Sequence, residues 1–170
     1  MRSSAQAALD NLGSILNLLR SAGASDDSVE PAPTLTELTG LIDSYRDAGL
    51  AVEYETSGAP RPLADTTQLA LYRTVQEALT NAHKHGDGHV RLRISHAADG
   101  VAVELSNPVA VPSVGDDVTP RSGAAGDAGG FGLTGMRERV LAAGGSLHVG
   151  LEGQTRFAVR AHFPIAEEQR

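Results

Sequence analysis

The 170-residue chain contains no cysteine and no tryptophan. That rules out disulfides, thiolate catalysis and cysteine-ligated zinc, and it fits an intracellular protein. Aromatic residues amount to 4%, so the core must be built from aliphatic side chains. No apolar run comes near the roughly 18 residues that a membrane-spanning helix needs, and there is no signal-peptide pattern, so the chain as given is expected to be soluble. Positive charge is scarce: 14 Lys and Arg stand against 21 Asp and Glu, giving a formal net charge of −7 and a pI near 5.3. Without a basic run or an aromatic-basic patch, nucleic acid and anionic membranes are poor partners. A P-loop is missing too, because no Gly-Lys-Ser/Thr follows a glycine run. The length fits one domain with a real core.

What the chain does have is concentrated in Gln76–His85 (QEALTNAHKH). Leu69, Tyr72, Val75, Leu79 and Ala82 recur at three- and four-residue spacing, which predicts one buried helix. On that helix Glu77, Asn81, Lys84 and His85 fall at i, i+4, i+7 and i+8, in one row. A carboxylate and an amide one turn apart suit a hydrated divalent cation. The two basic groups further along suit phosphate, and cations also favour a helix C-terminus in their own right. His83, His85 and His89 could be read as a zinc cluster, but no fourth ligand accompanies them.

The rest of the chain reads as alternating helices and hairpins. Residues 3–20 form a helix with Ala5, Leu9, Leu12, Leu16 and Leu19 in a heptad seam of about two heptads. It is either a terminal helix on its own domain or the stump of a longer dimerising helix. Residues 21–33 are a linker. Thr34 and Glu37 make a capping box for a second helix, which Gly49 closes. Leu50–Glu55 is a short strand and Ser57–Pro62 a turn-rich connection. Asp65 or Thr66 caps the long helix, and Gly86 ends it. Val90, Leu92 and Ile94, then Val101, Val103 and Leu105, alternate around Asp99-Gly100 as a hairpin. Pro108–Gly129 has no period and reads as a lid. Leu133–Ala143 is a helix stopped by Gly144-Gly145, and Ser146–Leu151 with Arg156–Phe163 makes a second hairpin. This order predicts a two-layer α/β (α+β) sandwich, with a mixed, mostly antiparallel sheet and helices on one face.

Gly130-Phe131-Gly132-Leu133-Thr134-Gly135 spells G-x-G-x-x-G and opens a helix, and Glu152 lies 20 residues after Gly132. The dinucleotide-binding reading fails on context, since no strand leads into the motif and the helix leads to a hairpin. The physical content survives. Glycines before a helix let backbone N–H groups approach phosphate, and the helix N-terminus adds partial positive charge.

QEALTNAHKH and GFGLTGMRERV closely resemble the ATP-binding domain of bacterial sensor histidine kinases, in the superfamily shared with DNA gyrase, the ninety-kilodalton heat-shock chaperones and MutL. More narrowly they look like the nitrate-sensor and lipid-fluidity-sensor branch, for which Gly135–Arg139 (Gly-Met-Arg-Glu-Arg) is a marker. The resemblance covers roughly residues 34–164. It implies a Bergerat-type fold, ATP and Mg²⁺ as cofactors, and a site assigned by matching residues. Asn81 would ligate Mg²⁺, and Glu77 would be the catalytic acid that holds a metal-bound water or acts as a base. Lys84 and His85 would face the phosphates. Gly130, Gly132, Leu133 and Gly135 belong to the glycine box beneath the lid, and Thr155 lies near the adenine end.

Three departures accompany the resemblance. Asn107 stands where the family has its adenine-reading aspartate, and the glycines of that box are missing. A neutral acceptor contributes roughly 0.5–1.5 kcal/mol net against about 1.5–3 for a charged one, so ATP binding is expected to be weaker or less selective for the base. The usual Gly-Thr is Gln154-Thr155 here. The six histidines are 83, 85, 89, 96, 148 and 162, and none occupies the first 60 residues, where the phosphoacceptor would stand.

The expectation is therefore a catalytic fragment. Residues 1–22 would be the tail of a dimerisation helix, 23–33 a linker, 34–165 the ATP-binding domain with a lid over about 108–129 that orders with nucleotide, and 166–170 a tail. It would transfer the ATP γ-phosphoryl to a histidine outside this chain, for relay to a response regulator. Its partners would be the parent's dimerisation and phosphoacceptor domain and that regulator, with a homodimer only in the full-length parent. Its location would be cytoplasmic, any membrane anchor belonging to the parent. Two alternatives are a nucleotide-binding regulatory module with impaired catalysis and an anti-sigma-type serine kinase.

Overall fold

The computed structural model describes residues 37–109, 130–153 and 155–165, all within one compact unit that spans 32–170. The expected helix at 3–20, the linker, Thr34 of the capping box, the lid beyond Val109 and the tail at 166–170 lie outside the described residues. The elements are α1 (Leu38–Asp47), β1 (Ala51–Ser57), α2 (Asp65–His85), β2 (His89–His96), β3 (Gly100–Pro108), α3 (Gly130–Ala142), β4 (Ser146–Glu152) and β5 (Arg156–Pro164). None of the described helices is long and apolar enough to cross a membrane.

The five strands lie in the order β1-β2-β3-β5-β4. β1 pairs with β2 in parallel, and the other three pairings are antiparallel. Both hairpins predicted from alternation are present, with Leu92 opposite Leu105 and Val149 opposite Val159. The sequence order alone conceals that β5 is the inner partner of β3, leaving β4 at the edge.

Alternation gives the sheet two unlike faces. Leu92, Ile94, Val103, Leu105, Val159 and Phe163 are buried on one face, beneath α2 and α3. The core is aliphatic as expected, with Phe163 its largest fully buried side chain. On the other face an ion-pair ladder crosses all five strands: Glu55–Arg93 at 2.9 Å, Arg93–Glu104 at 4.0 Å, Glu104–Arg160 at 3.6 Å, then Arg160 to Glu152. These side chains are about half exposed, so each pair contributes little by itself.

Two helix starts differ from expectation. α2 starts at Asp65 with Ala64 at its N-cap and no side-chain cap, so Asp65 sits in the first turn, where a carboxylate complements the helix dipole. Its buried stripe runs through Leu71, Thr74, Val75, Ala78, Leu79 and Ala82, and Leu69 and Tyr72 are only half-buried at its margin. α3 starts at Gly130, so the glycine box forms the first turns of the helix instead of a loop ahead of it.

β1 is an edge strand, and α1 seals part of that edge. Arg46 donates from Nε and Nη2 to the Val52 carbonyl, at 3.2 and 2.9 Å, while Asp43 holds its Nη1 at 3.0 Å. The close of α1 is as predicted: Gly49 adopts φ 94°, which a residue with a Cβ resists.

Candidate nucleotide site

α2 carries two polar flanks on either side of its buried stripe, as a 100° rotation per residue requires. One flank holds Gln76, Thr80 and His83 and faces α1. The Tyr45 hydroxyl stands 2.6 Å from Thr80 Oγ1 and donates to the Gln76 carbonyl at 3.4 Å, and its ring meets His83 edge-on at 6.3 Å between centroids. The other flank holds the predicted row. Glu77 and Asn81 are half-buried, and Lys84 and His85 are exposed in the last turn. Neither basic residue makes an ion pair among the described residues, so their charge is available to a ligand.

The Glu77 flank meets the glycine box. A Cβ on Gly132 would coincide with the Glu77 carboxylate, the far end of a long side chain that would have to shift to admit it. The first N–H groups of a helix have no intrahelical acceptor, and a carboxylate beside them is favourable. Leu133 turns toward the core and is half-buried. Gly135 makes room for Arg139, whose Nη1 would lie 3.1 Å from a Cβ at that position. In the Gly-Met-Arg-Glu-Arg run the glycine thus lets the last arginine fold back along α3.

The far end of the site is built from Gly86 and Asn107. Asn107 closes β3, is buried, and donates from Nδ2 to the Pro108 carbonyl at 3.0 Å. A Cβ on Gly86 would stand 2.8 Å from that same Nδ2 and 2.5 Å from the Ala82 carbonyl. Gly86 ends α2 as predicted, but at φ −87° its backbone is ordinary. What excludes a side chain there is first the Ala82 carbonyl of α2 itself and then the Asn107 amide of β3. The approach of Gly86 to Asn107 had no signal in the sequence. Along α2, Gly86 lies nine residues from Glu77, about 13.5 Å of helix axis.

Thr155 is brought near this end through its backbone: its carbonyl accepts from Val109 N at 2.8 Å, one residue beyond the strand that carries Asn107. Its side chain is exposed. The structure therefore brings Glu77 against Gly132, carries Asn81, Lys84 and His85 along the same flank, and sets Thr155, the residue just before β5, beside the end of the strand that carries Asn107. Gly130 starts α3, and Thr155 makes no contact with the glycine box among the described interactions.

A two-layer sandwich with a half-buried acid and amide on one helix, facing the glycine-rich start of another, defines a phosphate-handling α/β domain. Residues 66–167 match the family described as histidine kinase-, DNA gyrase B-, and HSP90-like ATPase, and the chain belongs to that family. It is 31% identical over 143 residues to the sensor histidine kinase LnrJ of Bacillus subtilis, covering 82% of this chain and 33% of the relative. It is 36% identical over 119 residues to the sensor histidine kinase YxjM of Bacillus subtilis, covering 66% and 26%. The chain thus spans a third or less of the length of these relatives. In fold it resembles the histidine kinase domain of the E. coli osmosensor EnvZ, with a TM-score of 0.57 at 15% identity, covering 85% of this chain and 96% of that one. It likewise resembles the mycobacterial sensor histidine kinase MprB, with a TM-score of 0.53 at 20% identity, covering 78% and 97%.

Proposed function

We propose that this chain is the Mg²⁺-ATP-binding catalytic domain of a sensor histidine kinase, and that it transfers the γ-phosphoryl of ATP to a histidine outside residues 1–170. The observation that carries this reading is the contact of Glu77 with Gly132, which puts the acid and amide flank of α2 against the glycine-box start of α3. The relatives named above, both sensor histidine kinases, support it.

The donor set fits Mg²⁺. No group of three His, Cys, Asp or Glu among the described residues could cage a metal. Mg²⁺ asks for less than a cage, since it keeps several waters and takes one or two protein oxygens together with phosphates. The Asn81 amide oxygen would be the protein ligand. The ion would supply charge neutralisation on the phosphate tail.

The remaining work belongs to the chain. Lys84, His85 and the backbone N–H groups of Gly130 and Gly132 hold the tail by charge and hydrogen bonds, while Leu133 and Gly135, whose N–H groups bond within α3, line it. Asn107 and Thr155 take the adenine end, about 13.5 Å from Glu77 along α2. The γ-phosphoryl leaves the bridging oxygen, which departs with ADP, and bonds to a ring nitrogen of the receiving histidine. That nitrogen attacks with its lone pair, the other ring nitrogen gives up its proton, and Glu77 is the base for it. The parent's phosphoacceptor domain and a response regulator are then the partners. Domain bounds follow the same reading, with 34–165 as the catalytic unit.

The test is calorimetry of MgATP binding to the wild type and Asn81→Ala, with phosphoryl transfer to a supplied dimerisation domain. A loss of at least about tenfold in affinity is expected, the range for a ligand or its support. Equal affinity in both proteins would remove Asn81 from the metal site, and binding without transfer would favour a regulatory module.

A further inference from the structure

Asn107 is 2% exposed, yet only one end of its amide is engaged. Nδ2 donates to the Pro108 carbonyl at 3.0 Å and lies 2.8 Å from where a Gly86 Cβ would stand. No group among the described residues donates to Oδ1. That oxygen is not sealed in, because the enclosed side-chain polar atom left without a partner among the described residues is His96 Nδ1 alone. A buried amide oxygen without a donor is unfavourable, so its donor has to come from outside the described residues. The amide has no freedom to turn round. Flipped, it would set Oδ1 against the Pro108 carbonyl, two acceptors with no proton between them. A carboxylate fares no better, since both its oxygens are acceptors and it would carry charge into a buried position.

We propose that the Pro108 carbonyl locks Asn107 as an acceptor-only reader of the base, one that admits a 6-amino purine, rejects a 6-oxo purine, and works only as an amide. This rests on the nucleotide-binding reading above and deepens it at the adenine end. Adenine carries an amine N–H where hypoxanthine and guanine carry a carbonyl oxygen. The free Oδ1 accepts from the first and repels the second. The missing charge at this position therefore leaves base selection intact, and restoring a carboxylate there weakens binding instead of strengthening it. Pro108 is a positioning residue, which acts on the base through Asn107. Gly86 shares that role, since its lack of a Cβ leaves room for the amide nitrogen.

Calorimetry with ADP and with its 6-oxo analogue, inosine diphosphate, reads the base preference of the wild type. ADP is expected to bind at least about tenfold more tightly, the worth of one hydrogen bond replaced by facing acceptors. Nitrogen-15 NMR reads the lock itself: the Asn107 side-chain amide protons should exchange slowly with and without ADP. Asn107→Asp keeps the size and replaces the amide by a carboxylate. It is expected to weaken ADP binding about five- to hundredfold, and equally in about 0.15 M and 0.5 M salt, because repulsion of distant phosphates is screened and a misplaced acceptor is not. Equal or tighter ADP binding by the variant, or a loss that vanishes in salt, overturns the lock. So does fast exchange of the wild-type amide protons. Should the variant fail to fold, the wild-type base preference and amide exchange decide. Wild type that binds both diphosphates equally overturns the reader while leaving nucleotide binding intact. Failure of the wild type to bind ADP at all overturns the nucleotide reading itself.

Discussion

The Tyr45 hydroxyl lies 2.6 Å from the hydroxyl of Thr80, the residue just before Asn81. This bond ties α1 to the flank of α2 opposite the candidate site and fixes how α2 is turned. Tyr45→Phe keeps the edge-on contact with His83 and deletes the bond. It should lower stability by about 0.5–1.5 kcal/mol, read as a shift in the urea midpoint without a change in slope. A midpoint equal to that of the wild type would mean that the bond carries no net stability.

Burial pushes the Tyr45 phenol above its ordinary value of 10.0; the Thr80 hydrogen bond opposes that shift and the Glu77 carboxylate adds to it. The folded protein therefore keeps this proton at a pH where the unfolded chain has lost it. The resulting stability is complete below about pH 10 and is lost as pH rises through the folded value. Between pH 9 and 11 the wild type should lose more stability than Tyr45→Phe, in which only the other tyrosines titrate. Parallel loss in both proteins would show that Tyr45 titrates as an exposed phenol.

Gly86→Ala should destabilise by about 1–3 kcal/mol, because its Cβ has to displace the Asn107 amide and the Ala82 carbonyl. The same substitution made in an Asn107→Ala background should cost less. The difference between the two, measured by denaturant unfolding, is the coupling between the helix end and β3. Strict additivity would place Asn107 out of contact with Gly86 in solution.

Glu104 sits at the centre of the ion-pair ladder, between Arg93 and Arg160. Glu104→Gln should lower the melting temperature slightly in dilute buffer and not at all in about 1 M salt, where screening acts within roughly 3 Å. A loss that persists in high salt would point to hydrogen bonding in place of charge.

Elements with a clean period were legible in the sequence: both hairpins from their alternation, and α2 from its three- and four-residue spacing. The row Glu77, Asn81, Lys84 and His85 lies on one flank because helical geometry leaves no choice. What sequence reasoning missed involves residues far apart in the chain. Gly132 lies against an acid 55 positions earlier, and Gly86 against an amide 21 positions later. Neither spacing has a local signature. The glycine box was placed ahead of its helix because glycine disfavours helix, yet α3 begins at Gly130. Placing β5 between β3 and β4 is likewise a choice of tertiary pairing that two hairpins in sequence do not encode.

Arg46 gives the sheet an asymmetry that matters outside the site. Open strand edges are templates on which another chain can grow a sheet, and a domain meets that hazard most when concentrated or partly melted. On the β1 side an approaching strand would have to evict a guanidinium that makes two bonds to Val52 and one to Asp43. No comparable plug is found among the described residues of β4, which instead shows Leu151 at 64% exposure. Resistance to fibre growth from the β1 edge thus depends on one side chain of a helix, and its loss would leave both rims of the sheet open to addition.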